Sequence, residues 1–235
     1  VSIINRLKPQ ANTEHIHLGN LTGQFLDDTV HDRDIPFAQS MTRYFQMNAL
    51  EILACEGFQS QQQAEAFYEK ARAQRANIRK LIGQDLRQSI ARYDSAHVTL
   101  EPTFFSDMLG IQGRLDFLYR HKKQTIIIEQ KSGKGDFVPP SSPSYDPEVP
   151  KPQEKHLVQL LLYRALLTYE FNLHSEELSH IMLLYSRYQQ GLVSVGQMPA
   201  LMLRAIRMRN LLAWCEIHHA QEGYAFLSTL SPEKL

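Results

Sequence analysis

The pattern of hydrophobic and polar positions divides the chain into a helical first part and a second part in which strands and helices alternate. Apolar residues recur at helical spacing over residues 37–56. A long polar helical pattern, rich in Ala, Gln, Arg and Glu, follows over residues 61–93, with Ser60 as its expected N-cap and Gly83 as its expected break. Residues 1–96 are therefore predicted to be a mainly helical part that packs on a core formed by residues 97–235.

From His97 onward the pattern predicts strands. Residues 110–120 and 124–130 alternate between apolar and polar positions or run β-branched, so both are expected to be strands. Residues 133–155 are rich in proline and predict a long loop. An apolar and therefore buried helix is expected next, then two more strands and a final helix; the boundaries are residues 156–171, 178–188, 191–197 and 199–220. This order predicts an α/β fold with a mixed sheet between helices.

Composition narrows the class of protein. The chain has 235 residues, with 25 Lys and Arg against 25 Asp and Glu, so the net charge is zero and any nucleic-acid site must rest on local charge. The two cysteines, Cys55 and Cys215, cannot hold a four-cysteine zinc or iron–sulfur site by themselves, and they indicate a reducing, intracellular (cytoplasmic) location. No apolar run is long enough to cross a membrane, and the start, VSIINRLKPQ, has no signal-peptide pattern. Because the first residue is Val, we expect a piece of a longer polypeptide.

The segment from Gly110 to Gly135 is the most informative. If the chain turns at Lys122-Lys123, His121 pairs with Gln124, and Asp116 lies directly opposite Glu129, with Arg114 opposite Lys131. One face of this hairpin then carries four charged residues, and the other face carries core side chains, namely Leu115, Phe117, Tyr119, Ile126 and Ile128.

Two carboxylates facing each other repel, unless water screens them or a cation lies between them. Hard divalent cations prefer such oxygen ligands. A divalent metal held by the two acids, together with Lys131, is the minimum set of groups for hydrolysing a phosphodiester. The alternative is a solvated strand face of mixed charge, and a register slip of one residue would move Glu129 to the other face.

A polar stripe marks the predicted buried helix. His156, Gln159 and Tyr163 are spaced so that they share one face of it. Buried polar groups need partners, so the stripe either supports a site or consists of ordinary satisfied core groups.

These motifs together resemble the PD-(D/E)XK nuclease superfamily, and within it the RecB-like branch of nuclease–helicases and CRISPR adaptation nucleases. They are G-x-x-G-R-x-D at residues 110–116, E-x-K at residues 129–131 and Q-x-x-x-Y at residues 159–163. The resemblance implies a restriction-endonuclease-like core and an Mg²⁺- or Mn²⁺-dependent deoxyribonuclease, acting as an exonuclease or an endonuclease. It also implies DNA as partner, and a helicase in the same polypeptide or complex.

The resemblance assigns roles to individual residues. Asp116 and Glu129 match metal-binding acids, the backbone carbonyl of Gln130 matches a further metal ligand, and Lys131 matches the lysine that positions the attacking water. Gln159 and Tyr163 match the helix motif that supports the site and touches DNA. Arg114 lies within the first motif, and Glu101 matches an upstream acid of some members, or is an exposed strand residue.

The sequence departs from the family pattern at two points. Many members of the branch have a metal-binding His in a G-x-x-x-H setting, and the nearest match here is Gly19-Asn-Leu-Thr-Gly23, with Gly23 in place of the His. Either this segment is not the equivalent one or one metal ligand is missing, which leaves the number of metals open. Several relatives also hold an iron–sulfur cluster, which two cysteines do not support.

The function expected from the sequence is hydrolysis of DNA in repair, recombination or replication, on single-stranded or end-containing substrates. Lysines near the loop (Lys131, Lys134, Lys151 and Lys155) and aromatic residues such as Phe137 and Tyr145 suit a nucleic-acid partner. The rivals are a catalytically inactive DNA-binding or protein-interaction module of a larger helicase, a hydrolase of another phosphate ester, and a plain scaffold.

Overall fold

The computed structural model of the protein describes residues 12–90, 93–173, 178–223 and 225. The opening sequence VSIINRLKPQ lies outside the described residues. The chain divides into two compact units, Val1–Val195 and Gly196–Leu235, and each is described by itself.

The first unit begins with helices. Ser60 is the N-cap predicted from the sequence: its hydroxyl accepts a hydrogen bond from the backbone N–H of Gln63, whose side chain accepts one from the backbone N–H of Ser60. The expected helix over residues 37–56 is interrupted at Asn48. The described helices here are α1 (Glu14–Val30), α2 (Phe37–Met47), α3 (Ala49–Leu53) and α4 (Gln61–Lys80), with a short 3₁₀ turn at Glu56–Phe58.

The expected break at Gly83 is a change of helix type. α4 continues into a π-helical segment, Leu81–Leu86, and then into a last α-helical turn, Arg87–Ser89. Leu81, Ile82 and Leu86 are buried, so the wider turn directs apolar side chains into the core.

A five-stranded mixed sheet forms the centre of the unit. The strands and the helix of this part are β1 (Val98–Leu100), β2 (Thr103–Ser106), β3 (Ile111–Arg114), β4 (Phe117–His121), β5 (Gln124–Lys131), α5 (Glu154–Glu170), β6 (Leu178–Tyr185) and β7 (Leu192–Ser194). The order in the sheet is β1-β4-β5-β6-β7, and only β5 and β6 run parallel among the described strands. The strands β2 and β3 form a separate hairpin, and helix α5 connects β5 to β6.

The prediction of one strand over residues 110–120 is wrong, because the chain changes partner in the middle. Arg114 pairs with Thr103 in the small hairpin, whereas Phe117 pairs with Ile128 in the main sheet. Between them, the backbone N–H of Leu115 donates to the carbonyl of Pro102 instead of to the main sheet. The hairpin β2–β3 therefore leaves the main sheet just before Asp116.

Both faces of the sheet are covered. One face packs against the helices α1, α2 and α4 in a single hydrophobic core, to which it contributes four of the five predicted side chains, Phe117, Tyr119, Ile126 and Ile128. The fifth, Leu115, is buried outside this cluster. On the other face, Leu118 and Ile127 are also buried, and α5 packs against β5 and β6 with Leu160, Leu161, Leu166 and Leu167 buried. A sheet covered in this way is typical of an α/β protein.

The two ends of the proline-rich segment are joined at a neck formed by Asp136 and Lys151. Asp136 and Lys151 form an isolated β-bridge, and Nζ of Lys151 lies 2.9 Å from Oδ2 of Asp136. Beyond this neck, Phe137 and Tyr145 are exposed. The predicted loop is therefore confirmed, and it has fixed ends.

The second unit contains the helix α6 (Pro199–Glu222), which begins with proline at its first position. None of its side chains is buried. In the part of the chain that the structure describes, no helix is both long and apolar enough to span a membrane.

Candidate active site

The register of the hairpin β4–β5 brings two acids face to face. His121 pairs with Gln124 and Phe117 with Ile128, as the turn at Lys122-Lys123 predicts. Asp116 directly precedes β4, so the same register places it opposite Glu129. The predicted position of Arg114 opposite Lys131 is wrong, because Arg114 belongs to the hairpin β2–β3.

Asp116 is fixed by the strand opposite. Its Oδ2 accepts a hydrogen bond of 2.6 Å from the backbone N–H of Gln130, the residue between Glu129 and Lys131. Burial raises the pKa of Asp116, and the hydrogen bond from Gln130 opposes that rise. The backbone of β5 thus positions one acid while its side chains supply the other.

Glu129 is a buried acid with one satisfied oxygen. Only 4% of the residue is exposed. Its Oε1 lies 2.7 Å from Nζ of Lys131 and 2.6 Å from Nε2 of Gln159. Its Oε2 is buried and has no hydrogen-bond partner among the described residues. Burial and, second, the negative charge of Asp116 raise the pKa of Glu129 to about 7, which Lys131 partly offsets.

Gln159 organises the acid and the lysine from the helix below. Its Oε1 accepts a hydrogen bond of 2.9 Å from Lys131, and its Nε2 donates to Glu129 and, at 2.9 Å, to the hydroxyl of Tyr163. Because an ammonium group can only donate, the amide oxygen must face Lys131, and this fixes the orientation of the amide.

The second glycine of the first motif makes room for this support. A Cβ atom built at Gly113 would overlap the ring of Tyr163. The strand β3 therefore crosses Tyr163 at a distance that only glycine permits. The spacing of G-x-x-G-R-x-D is in this way tied to the Q-x-x-x-Y motif of α5.

The acids open into a cavity of about 840 Å³. Six predicted site residues line it: Glu101, Arg114, Asp116, Glu129, Gln130 and Lys131. Gln159 and Tyr163 are not among the lining residues, so they support the site from behind. The other lining residues with basic side chains are Arg33, Arg43, Lys134, Lys155 and His156.

The helical part contributes lining residues that sequence reasoning missed. Arg33 and Arg43 lie around and within the first helices, and nothing in their local pattern distinguishes them from a solvated surface. Gly23, on α1, also lines the cavity, and a Cβ added there would meet no atom within 4 Å. Gly23, which the resemblance to the RecB-like branch matched to a histidine, therefore lines the same cavity as the two acids.

Glu101 lies at the rim of the cavity. It is exposed, with its carboxylate 3.4 Å from the guanidinium of Arg114, and its backbone N–H donates to the carbonyl of Asp116. Its φ of 51° is in the left-handed region, which is uncommon for a residue with a Cβ. Such backbone strain next to a pair of acids is typical of functional sites.

A buried polar network holds the end of β5. Nε2 of Gln74, on α4, donates to the carbonyl of Ser132 at 3.1 Å, and Oγ of Ser186 donates to Oε1 of Gln74 at 2.6 Å. The backbone N–H of Ser186 also donates to the carbonyl of Lys131. The sequence did not single out Gln74, because one glutamine in a glutamine-rich helix carries no special signal.

The donor set fits a hard divalent cation. Mg²⁺ is commonly bound by one or two carboxylates together with water and substrate phosphates. Asp116 and Glu129 supply two carboxylates, and the unpartnered Oε2 of Glu129 is an oxygen in need of a positive partner. No group of three or more His, Cys, Asp or Glu side chains suited to a metal occurs among the described residues. A metal here would therefore depend on these two acids, main-chain oxygen, water and substrate.

The comparison with family models identifies the class of protein. The model of the PD-(D/E)XK nuclease superfamily matches residues 4–213, and the chain belongs to this superfamily. Its mixed sheet flanked by helices is consistent with the restriction-endonuclease-like core of that group. Membership implies nuclease activity in general, and members generally use divalent metals. A comparison with curated proteins finds no match. The RecB-like branch stays a prediction.

Proposed function

We propose that this protein is a metal-dependent DNA nuclease whose active site is formed by Asp116, Glu129 and Lys131. The observation that carries the proposal is the convergence of Lys131 and Gln159 on the buried carboxylate of Glu129, next to Asp116 in one cavity. Burying an acid with an unpartnered oxygen costs free energy, which a binding site recovers when its ligand is present.

Each residue has a defined task in this proposal. An ammonium group has three donors, and Lys131 uses two of them on Glu129 and Gln159, which leaves one to hold the attacking water. Asp116, Glu129 and the backbone carbonyl of Gln130 would hold Mg²⁺ or Mn²⁺. When bound, the metal would lower the pKa of the water and neutralise charge that develops on the phosphate. Gln159 and Tyr163 keep the acid and the lysine aligned.

The finer assignments rest on the resemblance to the RecB-like branch. We infer that the substrate is single-stranded or end-containing DNA, cut by exo- or endonucleolytic action during repair, recombination or replication inside the cell. A helicase in the same polypeptide or complex would be the partner. The exposed rings of Phe137 and Tyr145, and the lysines at the cavity, support an unpaired strand as substrate.

We also propose that residues 1–96, which the sequence predicts to be mainly helical, act with the sheet as one nuclease unit. Arg33 and Arg43 support this, because they line the same cavity as the acids. Both would face the phosphates of a bound strand.

The test is cleavage of labelled single-stranded and duplex DNA with Mg²⁺, with Mn²⁺ or with EDTA. We expect the wild type to cut with either metal, and neither Asp116→Asn nor Lys131→Ala to cut. Cleavage in EDTA, or by both variants, would contradict the mechanism. If the wild type binds DNA but never cuts it, the protein is an inactive binding module, a reading that Gly23 in the cavity would then favour.

A further inference from the structure

His156 belongs to the polar stripe of α5 but does not share the contacts of Gln159 and Tyr163. It lies in the first turn of α5, lines the cavity and is only partly exposed. Its Nδ1 lies 2.8 Å from the hydroxyl of Tyr185, on β6. The site as described above gives it no task.

The hydroxyl of Tyr185 determines which nitrogen of His156 carries the proton. Tyr185 is fully buried, and its hydroxyl accepts a hydrogen bond of 3.0 Å from the backbone N–H of Gln153. The hydroxyl proton also needs an acceptor, because a buried donor without one costs free energy. Among the described residues, Nδ1 of His156 is the acceptor within reach. Nδ1 is therefore unprotonated, and the neutral ring carries its proton on Nε2.

The ring is held in this neutral form by its surroundings. Burial, followed by the positive charges of Lys131 and Lys155, lowers the pKa of His156 to about 4. Nε2 has no hydrogen-bond partner among the described residues, and it is not one of the buried polar atoms that lack a partner. The N–H at Nε2 is thus a neutral donor, fixed from behind by Tyr185 and accessible from the cavity.

We propose that His156 is a substrate-binding residue that donates a hydrogen bond from Nε2 to a phosphodiester oxygen of the strand in the cavity. The proposal rests on the function proposed above, since it requires a phosphate backbone in that cavity. A protonated Nε2 excludes His156 as a metal ligand through that atom. The hydrogen bond from Nε2 would orient the bound strand without adding net charge to the site. Lys155, which lines the same cavity, would supply a charged contact beside it.

The substitution His156→Asn removes the donor and keeps the support. The amide oxygen of asparagine takes the place of Nδ1 as acceptor for Tyr185, whereas no atom takes the place of Nε2. His15→Asn, at an exposed position on α1 that does not line the cavity, is the matched control. Each is made together with Asp116→Asn, so that the strand is bound and not cut, and the melting temperature of each is measured.

Affinity for a labelled single strand is then measured over a series of salt concentrations in Mg²⁺. We expect His156→Asn to weaken binding about tenfold, as for loss of a hydrogen bond to a charged group, and His15→Asn to leave it unchanged. The slope of log affinity against log salt should stay the same for His156→Asn, because a neutral donor displaces no counterion. For Lys155→Gln it should fall by about one. Equal affinity of His156→Asn and its parent, or a reduced slope, would overturn the proposal.

An NMR measurement on histidine labelled with ¹⁵N separates this proposal from the proposed function. In the protein without DNA, we expect the His156 ring to show a protonated Nε2 and an unprotonated Nδ1 near neutral pH. A proton on Nδ1 would overturn the inference even if the protein cuts DNA. If the tautomer is as expected but the parent protein binds no DNA, the proposed function fails, and the phosphate contact fails with it.

Discussion

Nζ of Lys131 lies 2.7 Å from Oε1 of Glu129, two residues away on the same face of one strand. The side chain of the lysine is about one-fifth exposed and that of the acid about one-twentieth. The pair therefore consists of a partly exposed cation and a buried acid. Breaking a pair of this kind leaves an uncompensated buried charge, which costs more than the intact pair contributes. Changes to either partner should therefore affect stability as well as activity.

For the lysine, we expect Lys131→Met to lower the cleavage rate by a factor of about 100 or more, because the donor that holds the water is lost. Lys122→Met, at the exposed hairpin turn, is the control and should cut normally. Initial rates on labelled DNA measure the effect. A variant at position 131 that cuts at the wild-type rate would contradict the role of this lysine.

The raised pKa of Glu129 makes the stability of the metal-free protein depend on pH. The pKa of Glu129 is raised to about 7 by burial and by Asp116, so its contribution to folding is fully present below about pH 4.5 and is lost as the pH rises through 7. In EDTA, we expect the free energy of unfolding of Glu129→Gln minus that of the wild type to increase by roughly 1–3 kcal/mol as the pH rises from 5 to 8, whatever its value at pH 5. Urea unfolding at several pH values measures this difference. A difference that does not change with pH would contradict the raised pKa.

The close approach of Gly113 to Tyr163 predicts that even a methyl side chain at position 113 lowers the stability of the protein. Since the added methyl would overlap the ring of Tyr163, we expect Gly113→Ala to destabilise the protein by ~1–3 kcal/mol and to lower activity by displacing the partner of Gln159. At Gly196, which is not among the residues that line the cavity, an added Cβ meets no atom within 4 Å, so Gly196→Ala is the matched control. Thermal unfolding and cleavage rates of the two variants should separate clearly.

The buried network at the end of β5 predicts that a distant glutamine supports the site. We expect Gln74→Leu to cost ~1–3 kcal/mol, because the carbonyl of Ser132 loses its side-chain partner and the hydroxyl of Ser186 keeps only its longer contact, of 3.3 Å, with the carbonyl of Lys131. Gln84→Leu, at an exposed position of the π-helical segment, should change stability little. Equal unfolding midpoints for the two variants would show that the network does not stabilise the strand end.

The open space around Gly23 predicts that alanine at this position stabilises the protein. The place of Gly23 within α1 costs helix stability, and an added Cβ meets nothing within 4 Å. We expect Gly23→Ala to raise the free energy of unfolding by ~0.5–1 kcal/mol without loss of DNA cleavage. A variant that is stabilised but inactive would show instead that the space at Gly23 is needed by the substrate.

The hairpin could be predicted from sequence because its information is local. A turn at Lys122-Lys123, together with the alternation of Leu115, Phe117 and Tyr119 against Ile126 and Ile128, predicts the register of the hairpin, and the structure has that register. The same local reasoning failed at Arg114. Its partner, Thr103, directly follows Pro102, a residue that favours a sheet edge or a bend. A single sequence does not show, however, that the strand beyond this proline pairs with residues 111–114 in a separate hairpin.

The parts of the site that come from the helices before β1 could not be predicted. Gln74 and Arg43 reach β5 or the cavity through the packing of α2 and α4, which a single sequence does not reveal. By contrast, Gln159 and Tyr163 were predicted through their fixed spacing on one helix, which is independent of packing.

The shared core of the first unit also sets where the protein can be shortened. Tyr119, Ile126 and Ile128 are covered by side chains of the first helices, such as Phe25 and Ile78. A chain that started at His97 would keep every acid and lysine of the site and yet expose this apolar sheet face to water, a surface that promotes aggregation. The smallest part of this protein expected to fold and cut DNA therefore begins before Glu14, ahead of α1.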